Sequence, residues 1–311
     1  MTVLEAIQKS AAFLGKKGVE SPRLQIELLL AHLLKLPRMK LYLNFERALS
    51  PAETDTLREF VTRRGRHEPL QHIVGSASFC GHDLAVNRHA LVPRPETELL
   101  AEAGWDFLLT RHSSLVTAFD FGTGTGCLAI AIAAKCPQAK ITATDVSAEA
   151  LALAGENAAR NHVAERIEFL QGDGFAAFSL ERRVARGPGQ ISENGDSPSS
   201  SLRTFDLIIS NPPYSPTAEI ETLQPEVRDF DPRAALDGGA DGLDFYRMFA
   251  TRAKPLLKPA GKIMLEFGDG QAGAIRNIFE YEKWIVEAVK EDYSQRSRIL
   301  IASKSSSSSS S

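Results

Sequence analysis

The sequence predicts an α/β protein with a Rossmann-like, seven-stranded and mostly parallel sheet, preceded by a small N-terminal helical bundle and a connecting β-hairpin. From Leu115 onward, apolar runs alternate with helical patterns, which is typical of a sheet covered by helices on both faces. A glycine-rich turn joins the first of these strands to a helix. Strands are expected at 115–121, 140–144, 166–171, 204–210, 260–267, 284–289 and 297–302. Helices are expected between them at 126–136, 147–161, 241–257 and 271–281.

The N-terminal bundle, residues 1–69, is predicted from two helix starts. "SPRLQIELLLAHLL" places Ser21 as the N-cap before Pro22 at the first helical position. "SPAETDTLREFVTRR" repeats this arrangement with Ser50 and adds Glu53 three residues later, as in a capping box. The two starts indicate separate helices that pack together.

The remaining boundaries follow from changes in pattern and composition. "QHIVGSASFCGHDLAVN" alternates β-type residues around glycines and predicts a hairpin in a linker at 70–95, after which a helix begins behind Pro95. The sheet domain is expected at 96–303. Residues 182–203 are rich in Gly, Pro, Ser and charge and indicate a flexible insertion. The serine tract at 304–311 is expected to be a disordered tail.

Composition limits the classes of function. Among 311 residues, 43% are hydrophobic and 24% are charged, as in ordinary globular proteins, and the net charge of -3 gives no basic field for nucleic acid. The three cysteines suggest no disulfide framework, which fits a reducing compartment. No apolar stretch reaches membrane-spanning length and no signal peptide opens the chain, so we expect a cytoplasmic protein without a membrane or metal.

The glycine-rich turn lies in "DFGTGTGC" and indicates a ligand site. Its spacing is G-x-G-x-G, and Cys127 stands where a dinucleotide-binding turn would have its third glycine. Such a turn suits the amino acid portion of a ligand, with a carboxylate at the N–H groups of the helix start and an ammonium near the preceding acid. The predicted contacts are Asp120, Gly122, Thr123, Gly124, Thr125 and Gly126.

Two more acids follow the next two strands. Asp145 ends "KITATD" and can accept hydrogen bonds from both hydroxyls of a ribose. Asp173 ends "IEFLQGD" and can accept from an adenine amino group, and Gly174 and Phe175 follow it. Because the acids accompany a turn suited to an amino acid, the ligand that fits is S-adenosylmethionine, with S-adenosylhomocysteine as product.

The fourth strand, "FDLIIS", ends in the rigid corner "NPPY". Prolines fix φ and restrict the residue before them, so Asn211 and Pro212 are held extended ahead of Pro213. The Asn211 side-chain oxygen and the Pro212 carbonyl can accept the two N–H groups of a planar amide, and Tyr214 can stack on its flat face. The corner therefore predicts a clamp for a planar N–H₂ group, with Asn211 also close to the donor.

The chain resembles the HemK/PrmC-type N5-glutamine methyltransferases that modify peptide chain release factors. The likeness extends from about residue 3 to 302 and depends on "SPRLQIELLLAHLL", "VPRPETE", "DFGTGTGCLAIAIA", "SNPPY" and "ALDGGADGLDFYR". It implies that 122–126 and Asp145 hold S-adenosylmethionine and that 211–214 hold the glutamine of the GGQ loop, whose methylation modulates translation termination. It also implies that the bundle docks the release factor. The family often has an aromatic residue where Gly174 stands.

Three alternatives remain open at the level of sequence. Adenine also presents a planar N–H₂ group, and "NPPY" is shared with N6-adenine methyltransferases, although those should add a basic face. A related enzyme could act on a glutamine of a ribosomal protein, but its N-terminal region should differ. A non-catalytic binder of S-adenosylmethionine should lack the clamp, which is intact here.

Overall fold

The computed structural model describes residues 1–111, 113–176 and 203–305. They form two compact units. The first comprises Met1–Ser76, Val86–Arg88 and Leu223–Phe230, and the second comprises Ala77–Ala85, His89–Thr222 and Asp231–Ser311. The expected insertion at 182–203 lies outside the described residues except for its last position, and the expected tail at 304–311 lies outside them beyond residue 305.

The first unit is a bundle of helices around an apolar core. Ser50 and Glu53 form the expected capping box, with Ser50 Oγ accepting from Glu53 N at 3.2 Å. Ser21 precedes Pro22 as expected, but its backbone is left-handed and its side chain makes no cap hydrogen bond. The helices are Val3–Lys16, Pro22–Leu34, Arg38–Leu41, Pro51–Arg64, Leu70–Val74 and Pro225–Arg228.

A buried arginine holds the chain segment 223–230 within this unit. Arg64 is 2% exposed, and its guanidinium donates to Gln25 Oε1 at 3.0 Å and to the Glu68 carbonyl at 3.0 Å. It also forms an ion pair with Glu226. A buried charge needs such partners, so the pair fixes the short helix that contains Glu226.

The hairpin is shorter than the sequence predicts. Strands β1 (Ser76–Phe79) and β2 (His82–Ala85) form it, whereas Leu70–Val74 is helical and ends at Gly75 in a left-handed conformation. The buried Asn157 side chain fixes the end of β2, because its Oδ1 accepts from Ala85 N at 2.7 Å.

The second unit contains the seven-stranded sheet that the sequence predicts. The order is β5-β4-β3-β6-β7-β9-β8, and β9 is antiparallel to both of its neighbours while the other pairs are parallel. The strands are β3 Val116–Phe121, β4 Ala139–Asp145, β5 Ile167–Gln171, β6 Phe205–Ser210, β7 Leu257–Glu266, β8 Trp284–Glu291 and β9 Ser297–Lys304.

Helices cover both faces of this sheet. Alternate strand residues enter two separate cores, with Ala118 and Leu207 in one and Phe119 and Ile208 in the other. The α-helices are Pro95–Leu109, Cys127–Lys135, Ala148–Arg160, Asp244–Arg252 and Ala272–Tyr281. The 3₁₀ helices are Ala164–Arg166, Gly174–Ala176, Thr217–Thr222, Arg233–Ala235 and Lys254–Leu256.

The helix predicted at 241–257 is shorter in the structure. The α-helix covers only Asp244–Arg252, since Pro255 cannot continue it and the chain passes through a 3₁₀ turn into β7. Within the described residues, none of the helices combines the length and apolar character needed to cross a membrane.

The strand order creates a crevice at the carboxyl edge of the sheet. The chain runs outward from β3 to β4 and β5, then returns to place β6 on the other side of β3. Ligands of open α/β sheets bind where the order reverses in this way. The glycine-rich turn after β3 and the corner after β6 therefore lie at the same edge.

Candidate active site

A cavity lies at this carboxyl edge, and residues from all four neighbouring strand ends contribute to it. Of the residues predicted from sequence, those that line it are Gly122, Thr123, Gly124, Thr125, Asp145, Asp173, Gly174, Asn211 and Pro213. The predicted residues that do not line it are Asp120, Gly126, Phe175, Pro212 and Tyr214. The structure thus brings the glycine turn, two of the three acids and the amide of the corner together.

The glycine-rich turn exposes backbone to the cavity. Gly122 has φ 68°, and a Cβ atom there would find no other atom within 4 Å, so the space that a side chain would fill is open to a ligand. The turn is held from behind by Thr123 N, which donates to the Thr144 carbonyl at 2.9 Å, and by Asn157 Nδ2, which donates to the Thr125 carbonyl at 3.0 Å. The cradle is therefore fixed before any ligand enters.

Asp145 braces the turn and faces the cavity. Its Oδ2 accepts from Gly124 N at 2.9 Å, and its Oδ1 accepts from Ser147 N at 3.0 Å. Each carboxylate oxygen can accept more than one hydrogen bond, so both can also receive ribose hydroxyls. The residue thus combines support of the loop with two acceptors at the ligand.

Asp120 is fully buried beneath the turn. Thr123 Oγ1 donates to its Oδ2 at 2.6 Å, while Oδ1 makes no hydrogen bond within the described part of the chain. Burial raises the pKa of Asp120 to about 7, and the hydrogen bond from Thr123 only partly offsets this. An acid in this state gains from a nearby cation, but its role toward an ammonium stays a prediction because it does not line the cavity.

The segment after β5 has two different environments. Asp173 is exposed and lines the cavity, as does Gly174, whereas Phe175 packs in an aromatic cluster with its ring 5.5 Å from Phe121 and 5.7 Å from Phe249. A Cβ atom on Gly174 would lie 1.6 Å from Phe121 Cε2. The Phe121 ring therefore occupies the space that a side chain at position 174 would need.

The corner after β6 is fixed at several points. Ser210 Oγ donates to the Phe121 carbonyl at 2.7 Å, and Asn211 Nδ2 donates to Thr97 Oγ1 at 3.1 Å. The Tyr214 carbonyl accepts from Gln271 Nε2 at 2.9 Å. The backbone of the corner is thus held on both sides of its two prolines.

The acceptors of the corner differ in their surroundings from its aromatic ring. Asn211 lines the cavity, and neither its Oδ1 nor the Pro212 carbonyl accepts a hydrogen bond within the described residues. The Tyr214 ring instead packs against the core on one face of the sheet, and burial raises its pKa to about 12. Stacking of Tyr214 on a substrate stays a prediction.

Several cavity residues were not predicted from sequence as site residues. Phe245 and Phe121 supply aromatic surface, and Arg94 contributes a cation that pairs with Asp231 at 2.6 Å. Thr97 lines the cavity behind Asn211. Arg94 and Thr97 both lie in "VPRPETE", so that motif was the available signal for them.

These residues fit S-adenosylmethionine. Asp145 offers acceptors for a ribose, the open side of Gly122 leaves room against the backbone, and Phe245 offers a flat apolar surface. The buried Asp120 Oδ1 without a hydrogen bond also favours positive charge nearby.

Comparisons with known proteins identify the family. Residues 5–75 match the PrmC N-terminal domain and residues 101–185 match the methyltransferase small domain. The release factor glutamine methyltransferase of Geobacter sulfurreducens is 40% identical over 278 residues, 89% of this chain and 88% of that protein. That of Chlorobaculum tepidum is 38% identical over 302 residues, 96% of each.

A solved structure also shares the fold. The hMettl16 catalytic domain in complex with MAT2A 3'UTR hairpin 6 matches with a TM-score of 0.51 and 14% identity over 82% of both chains, a likeness that concerns the fold alone. The chain is an S-adenosylmethionine-dependent methyltransferase. Since relatives of 38–40% identity are matched over nearly their whole length, it belongs to the family of release factor glutamine methyltransferases.

Proposed function

We propose that this enzyme transfers the methyl group of S-adenosylmethionine to the side-chain amide nitrogen, N5, of a glutamine in peptide chain release factors. The observation that carries the proposal is the Asn211 amide at the cavity. Its nitrogen is engaged by Thr97 at 3.1 Å, which leaves its oxygen to accept a hydrogen bond from a substrate. The names of the relatives support the release factor as the protein that supplies the glutamine.

The chemistry requires acceptors rather than a strong base. An amide nitrogen is a poor nucleophile because its lone pair is delocalised. Asn211 Oδ1 and the Pro212 carbonyl would bind its two N–H groups and orient the nitrogen, and they would stabilise positive charge as it develops there. S-adenosylmethionine, when bound, would supply the electrophilic methyl group and be left as S-adenosylhomocysteine, while the substrate nitrogen would give up one proton as its bond to the methyl carbon forms. Asp145 would hold its ribose, and the turn at 122–126 would hold its amino acid portion.

The test is methylation of an intact bacterial release factor by the purified full-length enzyme with isotopically labelled donor. We expect label on a single glutamine, located by peptide mass spectrometry. A release factor with that glutamine replaced by asparagine serves as the matched control and should stay unlabelled. Label elsewhere, or none with active donor binding, would refute the assignment of substrate.

The same assay includes the main alternative. N6-adenine methylation would use the same clamp, so RNA and DNA oligonucleotides are offered in parallel reactions. We favour the protein substrate because the chain carries a net charge of -3 and its N-terminal region matches the PrmC N-terminal domain. Label on adenine in place of glutamine would reverse this choice.

We further propose that the first unit recognises the release factor. A single glutamine side chain offers few contacts, so selection needs additional surface, and remote binding energy can position the reacting group. In this unit Met39 is 67% exposed and Leu43 is 76% exposed. Leu43→Asp with Met39→Glu should raise KM for the intact factor and leave KM for a short glutamine peptide unchanged.

The matched control removes exposed apolar surface from the second unit. Tyr281 is 80% exposed, and Tyr281→Ser should leave both KM values unchanged. If the first-unit variant loses equal activity on peptide and intact factor, the bundle supports the active site without recognising the partner.

A further inference from the structure

A threonine and a glutamate lie behind the substrate amide and were not assigned a role above. Thr97 is 2% exposed at the start of helix Pro95–Leu109, and Glu266 is 3% exposed at the end of β7. The pairing of Ser210 with Leu265 places Glu266 beside Asn211 at the carboxyl edge of the sheet. These two polar side chains therefore meet Asn211 from two different elements.

The hydrogen bond between Asn211 and Thr97 has a defined direction, and the Glu266 carboxylate beside these two residues favours it. Thr97 Oγ1 accepts from Asn211 Nδ2 at 3.1 Å, so its own hydrogen is free to donate. Thr97 and Asn211 both act on the buried Glu266 carboxylate and lower its pKa, which is the effect of groups that favour its ionised form. An ionised carboxylate can only accept, so it sets the direction for the other two groups.

On this basis, and resting on the proposed glutamine methylation, we propose that Glu266 and Thr97 are positioning residues that hold the Asn211 amide with its oxygen toward the substrate. An asparagine amide can rotate by half a turn with little change in shape. In the rotated state its nitrogen would face the substrate nitrogen, and two donors would oppose each other. Such a state cannot bind the substrate N–H groups.

The Glu266 carboxylate is buried and has few hydrogen-bond donors around it. Burial raises its pKa to about 7, while Thr97 and Arg298 act in the opposite direction, and Oε2 makes no hydrogen bond within the described residues. The other titratable groups near this carboxyl are Glu96, Tyr214 and Tyr246. Well above this pKa, the ionised carboxylate has few partners other than Thr97 and Asn211.

The experiment compares Thr97→Val, Thr97→Ser and Glu266→Gln in the full-length enzyme, at a pH well above the pKa of Glu266. Thr97→Val keeps the shape of the side chain but can neither accept nor donate. We expect kcat on intact release factor to fall about ten- to a hundredfold for Thr97→Val. Donor affinity should stay unchanged, and Thr97→Ser should retain most of the activity.

Glu266→Gln should lower kcat less than Thr97→Val, because a glutamine at this position can either donate or accept. The double variant Thr97→Val with Glu266→Gln should show no larger fall in kcat than Thr97→Val alone, since both residues act through the Asn211 amide. Thr142→Val is the matched control for a buried threonine away from the cavity and should match the wild type. Additive losses, or an unchanged kcat in Thr97→Val, would overturn the proposal.

A second readout does not depend on the substrate. The side-chain N–H₂ signals of Asn211 in a ¹H–¹⁵N spectrum, assigned through Asn211→Asp, report whether the amide nitrogen is held. We expect one resolved, slowly exchanging pair in the wild type and a shifted or broadened pair in Thr97→Val. If the spectra change as expected but no glutamine is methylated, the proposed function fails and the positioning network stands. Identical Asn211 signals in both proteins would overturn the network itself.

Discussion

The assignment of Asp145 to the donor ribose can be tested by Asp145→Asn. In the structure Oδ2 accepts from Gly124 N at 2.9 Å and Oδ1 accepts from Ser147 N at 3.0 Å. Asparagine keeps one acceptor and replaces the other by an N–H₂ group that cannot accept. The variant therefore loses the charge on every hydrogen bond at this position, worth about 1–3 kcal/mol. This corresponds to about a five- to 150-fold weaker affinity for S-adenosylmethionine.

Loss of affinity alone would not separate a ribose contact from loosening of the turn. Titration calorimetry should therefore use S-adenosylhomocysteine and its 2′-deoxy and 3′-deoxy analogues with both wild type and variant. If Asp145 accepts from the ribose, removal of a hydroxyl should weaken binding to the wild type and have much less effect on the variant. The coupling free energy between Asp145→Asn and removal of the hydroxyl should reach about 0.5–3 kcal/mol.

Asp173→Asn is the matched control, because Asp173 also lines the cavity but is predicted to face the adenine. In Asp173→Asn, the deoxy analogues should lose as much binding free energy relative to S-adenosylhomocysteine as they do with the wild type. Melting temperatures of all proteins without ligand show whether the turn is intact. If removal of a ribose hydroxyl weakens binding equally in the wild type and in Asp145→Asn, the ribose contact is refuted.

Three further predictions concern other parts of the second unit. Gly174→Ala should lower the free energy of unfolding by about 1–3 kcal/mol in denaturant titrations, because the new methyl group would collide with Phe121. Gly155→Ala is the control: its position is helical and open, so this variant should not lose stability. Burial raises the pKa of Asp120 from 3.8 to about 7, so between these pH values the folded state binds more protons than the unfolded state, and stability falls as pH rises. In Asp120→Asn the melting temperature should therefore depend less on pH over this range. Asn211→Ala should lower turnover about a hundredfold with a smaller effect on donor affinity, and near wild-type turnover would show that the corner is only structural.

The sheet was predictable because its strands are short apolar runs between polar segments. "FDLIIS" is buried at all six positions of β6, and such a run between turn residues needs no long-range information. The order of the strands was not predicted, because period and burial do not say which strands pair. The helix predicted at 241–257 is longer than the observed Asp244–Arg252, because Gly242 has a left-handed backbone before the helix and Pro255 cannot continue it afterwards.

The candidate site was predictable where one segment supplies both the element and the chemistry. The glycine turn follows β3 and Asp145 is the last residue of β4, and residues 122–125 and Asp145 line the cavity. The unsuspected features come from pairs distant in sequence. Phe121 fills the space beside Gly174, and Thr97 holds Asn211 across 114 positions. No local pattern encodes such contacts, because they depend on which strand ends become neighbours.

The rigid corner and the residues behind it solve different parts of one problem. Prolines fix the backbone, which is sufficient to aim the Pro212 carbonyl, because a carbonyl has no torsion of its own. They leave the side-chain torsions of Asn211 free, and rotation of its terminal amide exchanges an acceptor for a donor. The hydrogen bond from Asn211 Nδ2 to Thr97 Oγ1, 3.1 Å long, opposes that rotation, and the Glu266 carboxylate is the group that can only accept and so keeps the direction of this bond. A stiff corner without Thr97 and Glu266 would therefore present one reliable acceptor, and two are needed to orient an N–H₂ group.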